Sequence, residues 1–263
     1  MRRVPDLDVL TIVLLVLAGL TAGWVDAVVG GGGLIQLPAL LLVPGISPVQ
    51  ALATNKLGSI MGTSTSAITY YRRVGPDLTT AGPMAVAALV GAFGGAALAS
   101  RIPAELFKPI ILVVLIGVAT YTVLKPKLGA HDNLRWEGNR HRWTAAGIGL
   151  VIGAYDGLLG PGTGTFLVIA LVSVLGYAFL PASALAKITN FATNLGALLF
   201  FVPHGAVLWG LGLMIGAANL VGAYIGARMA VAKGSAFVRV IFVVVVGALI
   251  LKLGYDVWQD WRS

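Results

Sequence analysis

The chain has 263 residues, of which 58% are hydrophobic and only 11% charged, with a mean hydropathy of +0.92. A water-soluble domain carries about 25% charged residues, so the composition excludes a soluble globular fold and points to a membrane protein. The net charge of +8 does not mark a nucleic-acid binder, because the Lys and Arg residues sit in short loops between apolar runs, where they set topology beside anionic lipid.

The chain contains no cysteine, which removes disulfides, thiolate metal sites and cysteine nucleophiles. His131, His141 and His204 lie in or beside loops with no metal-ligand spacing. Apolar runs of roughly 20 residues recur, each long enough to cross a hydrocarbon core as a helix. They lack the alternation of barrel strands. The expected fold is all-α, a polytopic transmembrane bundle of about eight to ten segments.

In chain order, Met1-Arg2-Arg3 and the apolar run 7–29 resemble a signal peptide. Cleavage near Ala22 would cut through a unit that recurs later, so the run is read as a retained first helix. It ends at Gly30-Gly31-Gly32-Gly33, and the apolar piece 34–43 that follows is only about half a bilayer long. A half-helix or re-entrant piece is expected there. Residues 48–71 form a helix with a polar stripe that includes Thr54, Asn55, Lys56 and Ser59. The Ser and Thr of 63–69 are read as helix–helix hydrogen bonds. The Gly/Ala-rich run 82–100, with Gly91-x-x-x-Gly95, suits close helix approach. A turn at Arg101, Pro103 and Glu105 leads into a last run at 107–124.

Residues 125–142 are the longest polar segment, with Lys125, Lys127, Arg135, Arg140 and Arg142, which favours the cytoplasmic side. They divide a first repeat, 1–124, from a second, 143–263. The second repeat follows the same plan: an apolar run 143–159, the break Gly160-Pro161-Gly162-Thr163-Gly164, an apolar piece 165–180, a polar-striped helix 181–202 with Lys187, Thr189, Asn190, Thr193 and Asn194, and Gly/Ala-rich spans at 207–230 and 237–258. Those Gly/Ala faces also offer surfaces for self-association. Positive charges divide too evenly among the loops to choose between parallel and inverted repeats.

Four charged residues fall away from helix ends: Asp26, Lys56, Asp156 and Lys187. Asp26 and Asp156 correspond at an offset of 130, and Lys56 and Lys187 at 131. Charge inside a bilayer costs at least about 2.5–3.5 kcal/mol per residue, so duplicated charge should face a protein interior or wet cavity. A glycine break that opens a half-helix exposes backbone N–H groups at a positive dipole end, and such ends bind anions.

These observations define a candidate substrate site for a small anion: Gly31, Gly32, Gly33, Asn55, Lys56, Gly162, Thr163, Gly164, Lys187, Asn190 and Asn194. For Asp26 and Asp156 three roles stay open: capping the following N–H groups, pairing with Lys56 and Lys187, or carrying protons. No Gly-x-x-x-x-Gly-Lys-[Ser/Thr] loop, Gly-x-Ser-x-Gly or His-Glu-x-x-His sequence occurs. No cofactor, metal, catalytic residue or nucleic-acid partner is expected, and the lipid bilayer is the surrounding partner.

The chain also resembles the sulfite exporter TauE/SafE permeases. The resemblance rests on Asp26 with Gly30-Gly31-Gly32-Gly33-Leu34-Ile35-Gln36-Leu37-Pro38, on Ala53-Thr54-Asn55-Lys56-Leu57, on Gly160-Pro161-Gly162-Thr163-Gly164, and on Ala186-Lys187-Ile188-Thr189-Asn190-Phe191. These motifs keep the family's order and spacing, and the two-half plan covers nearly the whole chain. The resemblance implies a bacterial plasma-membrane permease that moves sulfite, sulfonates or related organosulfur acids. The leading expectation is a secondary transporter exporting such an anion by alternating access between the repeats. A passive anion channel and a non-transporting membrane subunit are the alternatives.

Overall fold

The computed structural model describes residues 7–99 and 131–260. The expected turn at 101–105, the run 107–124 and the first part of the linker lie outside the described residues. Among the described residues the chain is helical throughout, with no strand.

Helix α1 runs Val9–Val29 and starts at Asp8, whose side chain accepts from the Thr11 N–H. It stops at Gly30, where φ is +78°. The half-helix α2, Gly33–Leu41, follows, and then α3, Pro48–Val74. A reciprocal capping box of Ser47 and Gln50 opens α3, and left-handed Gly75 closes it. Helix α4 spans Leu78–Ala99.

The second half repeats this order. Helix α5 is Gly138–Leu158, so the last residues of the expected linker already belong to it. Half-helix α6, Thr163–Ala170, continues into a π-helical turn, Leu171–Leu175, and ends at left-handed Gly176. Helix α7 is Phe179–Phe201. Helix α8, Trp209–Asp260, is broken at Gly234, where φ is +73°, so the two Gly/Ala-rich spans expected at 207–230 and 237–258 correspond to its two arms.

Among the described residues, three helices are long and apolar enough to cross a membrane on length and composition: α1, α4 and α7. At about 1.5 Å per residue, the 27 residues of α3 also reach about 40 Å. Its lower hydropathy comes from polar side chains that point inward: Thr54, Asn55, Lys56, Thr63 and Ser66 are all buried.

The halves interlock. Helix α1 packs on α8, and α5 packs on α4, so each half's opening helix lies against a later helix of the other half. The small residues make this possible. A Cβ on Gly23 would press on the Asn219 backbone, and one on Gly153 would press on Ala88. Gly91 and Gly95 meet Leu150 and Ala154 in the same way, and Gly222 and Gly226 meet Leu20 and Trp24. These glycine spacings therefore serve helix packing within the chain. The helices that carry Lys56 and Lys187, α3 and α7, contact each other.

One expectation changes here. The hydroxyls of Thr63, Ser64, Thr65, Ser66 and Thr69 donate to carbonyls three or four residues back on α3 itself, at 2.8–3.3 Å, and among the described residues none donates to a neighbouring helix. A hydroxyl one turn from a free carbonyl lone pair satisfies itself locally before it reaches another helix.

Candidate functional site

The two glycine breaks meet at the centre of the molecule. A Cβ on Gly164 would lie 2.6 Å from Gly30 Cα, so only glycine permits this approach, and the Thr165 hydroxyl donates to the Gly30 carbonyl at 2.7 Å. Gly30, Gly31, Gly160 and Gly162 all have φ between +78° and +112°, which side-chain-bearing residues rarely adopt. Carbonyls freed near the breaks are held by tyrosines: Tyr70 Oη donates to Ala27 O at 2.9 Å, and Tyr155 Oη donates to Pro161 O at 2.6 Å. Neither α2 nor α6 has a side-chain hydrogen bond capping its start. At the start of α2 the Leu34 and Ile35 N–H groups donate to the Gly31 and Gly32 carbonyls, while Gly33, Thr163 and Gly164 stand at the positive helix ends and line the central cavity.

The four interior charges form two ion pairs, and the pairs cross between halves. Lys56 Nζ, on α3, is 2.7 Å from Asp156 Oδ2 on α5, with both side chains at most 2% exposed. Lys187 Nζ, on α7, is 3.2 Å from Asp26 Oδ2 on α1 and also donates to the Asp26 carbonyl. Asp26 caps as well as pairs, since its Oδ1 accepts from the Gly31 N–H at 3.3 Å. Asp156 Oδ1 sits 2.5 Å from the Thr163 hydroxyl.

Between these pairs lies a cavity of about 20 Å³, lined from one half by Asp26, Gly31, Gly33, Asn55, Lys56 and Ser59 and from the other by Asp156, Gly160, Gly162, Thr163, Gly164, Asn190 and Asn194. Gly32 and Lys187 stand outside the lining. Gly32 packs against Ala22 and Asp26 on α1, and Lys187 lies behind Asp26 and Gly164. A space of this size holds about one water and does not hold a sulfite-sized group as it stands. The Asn55 Oδ1 is buried without a protein partner. Asn190 accepts at its backbone carbonyl from Thr193 and Asn194, both at 2.9 Å.

Several residues of the centre were not picked out as site residues. Ser59 and Gly160 join the lining. Gln36 bridges three elements: its Nε2 donates to the Asn55 carbonyl at 3.3 Å, and its Oε1 accepts from Asn219 Nδ2 on α8 at 2.7 Å. Both amides are buried. The signal for Gln36 was an amide inside the otherwise apolar Leu34-Ile35-Gln36-Leu37. Tyr70, Tyr155 and Asn219 gave no comparable signal.

Broken helices that meet around buried, duplicated charge, in an all-α membrane protein, define the class of membrane transporters. The model of the family described as sulfite exporter TauE/SafE matches residues 15–253. The chain belongs to that family. Among curated relatives, it is 39% identical to a probable membrane transporter protein, ORF9, of a Sinorhizobium species, over 95% of both chains. It is 35% identical to the probable membrane transporter protein YfcA of Escherichia coli K12, over 89% of this chain and 86% of that one. It is 32% identical to a probable membrane transporter protein of Haemophilus influenzae, over 97% and 98%. No solved structure matches the chain.

Proposed function

We propose that this transporter exports a small sulfur-containing anion, sulfite or a sulfonate, by alternating access at the central cavity, as a multi-pass protein of a bacterial inner membrane. In this reading residues 1–124 and 143–263 are the two repeats, and 125–142 is a cytoplasmic linker. The observation that carries it is the meeting of two half-helix starts, neither with a side-chain cap at its N-cap residue, with two buried lysines drawn from both halves. N–H groups of Gly31–Gly33 and Gly162–Gly164 would bind the anion's oxygens, Lys56 and Lys187 would neutralise it, and Asn55, Asn190 and Asn194 would orient it. The family description supplies the sulfite class and the outward direction.

A central cavity of about 20 Å³, with room for about one water, favours alternating access over a standing pore. Both lysines already hold carboxylates, so the anion must take a lysine from its partner as the cavity widens. Labelled-sulfite efflux from proteoliposomes tests the reading. Saturable efflux is expected, and both Lys56→Ala and Lys187→Ala should lower it severely. Unchanged efflux in both variants would refute an anion site here, and flux that follows voltage without saturating would replace the carrier with a channel.

A further inference from the structure

We propose that a monoanion moves together with one proton, and that Asp26 is the proton carrier. This rests on the anion reading above. Asp26, Lys56 and Asp156 line the cavity and Lys187 pairs with Asp26 just outside it, so the four formal charges at the centre sum to zero before anything binds. An anion that entered unaccompanied would place unbalanced charge among buried groups, which is strongly disfavoured. A proton on one carboxylate restores the balance and releases one lysine for the anion.

The two carboxylates are not equivalent. Asp156 is 2% exposed and held by Lys56 at 2.7 Å and by the Thr163 hydroxyl at 2.5 Å. Asp26 is 14% exposed and held more loosely, by Lys187 at 3.2 Å and the Gly31 N–H at 3.3 Å. The groups that face Asp26 are Lys187 from α7 and the Gly31 N–H of the break, with Lys56 and Tyr70 from α3 within Coulombic reach and Asp156 among the cavity's other lining groups.

Protonation of Asp26 removes the counter-charge of Lys187. The released ammonium then lies one glycine away from the cavity, since a Cβ on Gly164 would sit 3.3 Å from Lys187 Nζ and 3.4 Å from Asp26 Oδ1. The absence of a side chain at Gly164 gives the ammonium its way in. Asn55 Oδ1, buried and unpartnered in the lining, offers an acceptor to the water or acid that brings the proton. On release the anion leaves, Asp26 returns its proton to water, and the Lys187–Asp26 pair re-forms.

The test uses the full chain in proteoliposomes and labelled methanesulfonate, a monoanion with no proton of its own near neutral pH. With the membrane potential clamped at zero, an acid gradient of about one pH unit should concentrate the label about tenfold on the alkaline side, which is the one-to-one equilibrium value. An internal pH dye should report one proton per anion. In Asp26→Asn the ratio of pH-driven accumulation to equal-pH counterflow should fall roughly tenfold, the factor set by one unit of driving force, whereas Asp156→Asn keeps it. Wild-type accumulation that ignores the pH gradient and follows voltage would overturn the inference, as would loss of the ratio in Asp156→Asn alone. A wild-type protein without methanesulfonate counterflow would remove the sulfonate reading and the inference with it. The wild-type proton count stands whether or not a variant folds.

Discussion

Replacing Lys56 by methionine keeps the length and bulk of the side chain and removes its charge. Asp156 then loses its counter-charge at 2% exposure, with the Thr163 hydroxyl as its remaining close partner. At 2.7 Å and an effective dielectric of about 20, the direct attraction lost is about 6 kcal/mol. Desolvation of both ions offsets much of this, and breaking a buried pair from one side has a net cost of about 3–5 kcal/mol. Lys56→Met should therefore lose about that much unfolding free energy in detergent, whereas Lys56→Met with Asp156→Leu should regain most of it. The double-mutant cycle should return a coupling of about 2 kcal/mol or more. The Lys187–Asp26 pair, longer at 3.2 Å and with Asp26 14% exposed, should return a smaller one. Effects of the Lys56 and Asp156 substitutions that add to within about 0.5 kcal/mol would refute the reasoning, because independent sites behave that way.

Other expectations follow from single contacts. Gly164→Ala would set a methyl 2.6 Å from Gly30 Cα and should destabilise the protein by about 1–3 kcal/mol, read by the same unfolding assay. Gln36→Leu should cost about 1–3 kcal/mol, because it orphans the buried Asn219 amide and the Asn55 carbonyl. Asp77→Ala removes the carboxylate that accepts from the Thr79 N–H and from the Thr79 and Thr80 hydroxyls at the start of α4, and should cost about 1 kcal/mol. Burial of the Asp77 carboxyl opposes ionisation, but hydrogen bonds from Thr80 and Thr79 outweigh it and hold the group below its ordinary value. Its contribution is thus full above the unfolded-state value of about 3.9 and is lost as pH falls through the lower folded-state value. Wild type and Asp77→Ala should therefore converge in stability at low pH.

The helices, their breaks and the four interior charges were legible because each has a local signature. A hydrocarbon-length apolar run, a cluster of glycines and a charge far from any loop are visible without knowing what packs where. The partner of each charge was not. Lys56 and Asp156 are 100 positions apart, and Lys187 and Asp26 are 161 apart. Repeat symmetry is equally content with pairs inside a half and pairs across halves. The exclusion of Lys187 from the cavity was invisible for the same reason, since it depends on Asp26 standing in front of it. Gln36 and Asn219, 183 residues apart, became partners only once α8 folded back over the first half.

Crossing has a mechanical consequence for the proposed cycle. Each half contributes one lysine and one aspartate, yet neither lysine is paired within its own half. Any motion that draws the halves apart at the cavity lengthens both pairs at once, whereas pairs within a half would travel with it unbroken. Widening the cavity from the size of one water to that of a sulfonate therefore exposes charges that need new partners. An anion meets that need on the lysine side and a proton meets it on the carboxylate side. The interlock of α1 with α8 and of α4 with α5 ties each half's frame to the other, and the two breaks touch at Gly30 and Gly164. Of the two pairs, the looser and more accessible Lys187–Asp26 should part first, and Lys56–Asp156 should hold the closed state together.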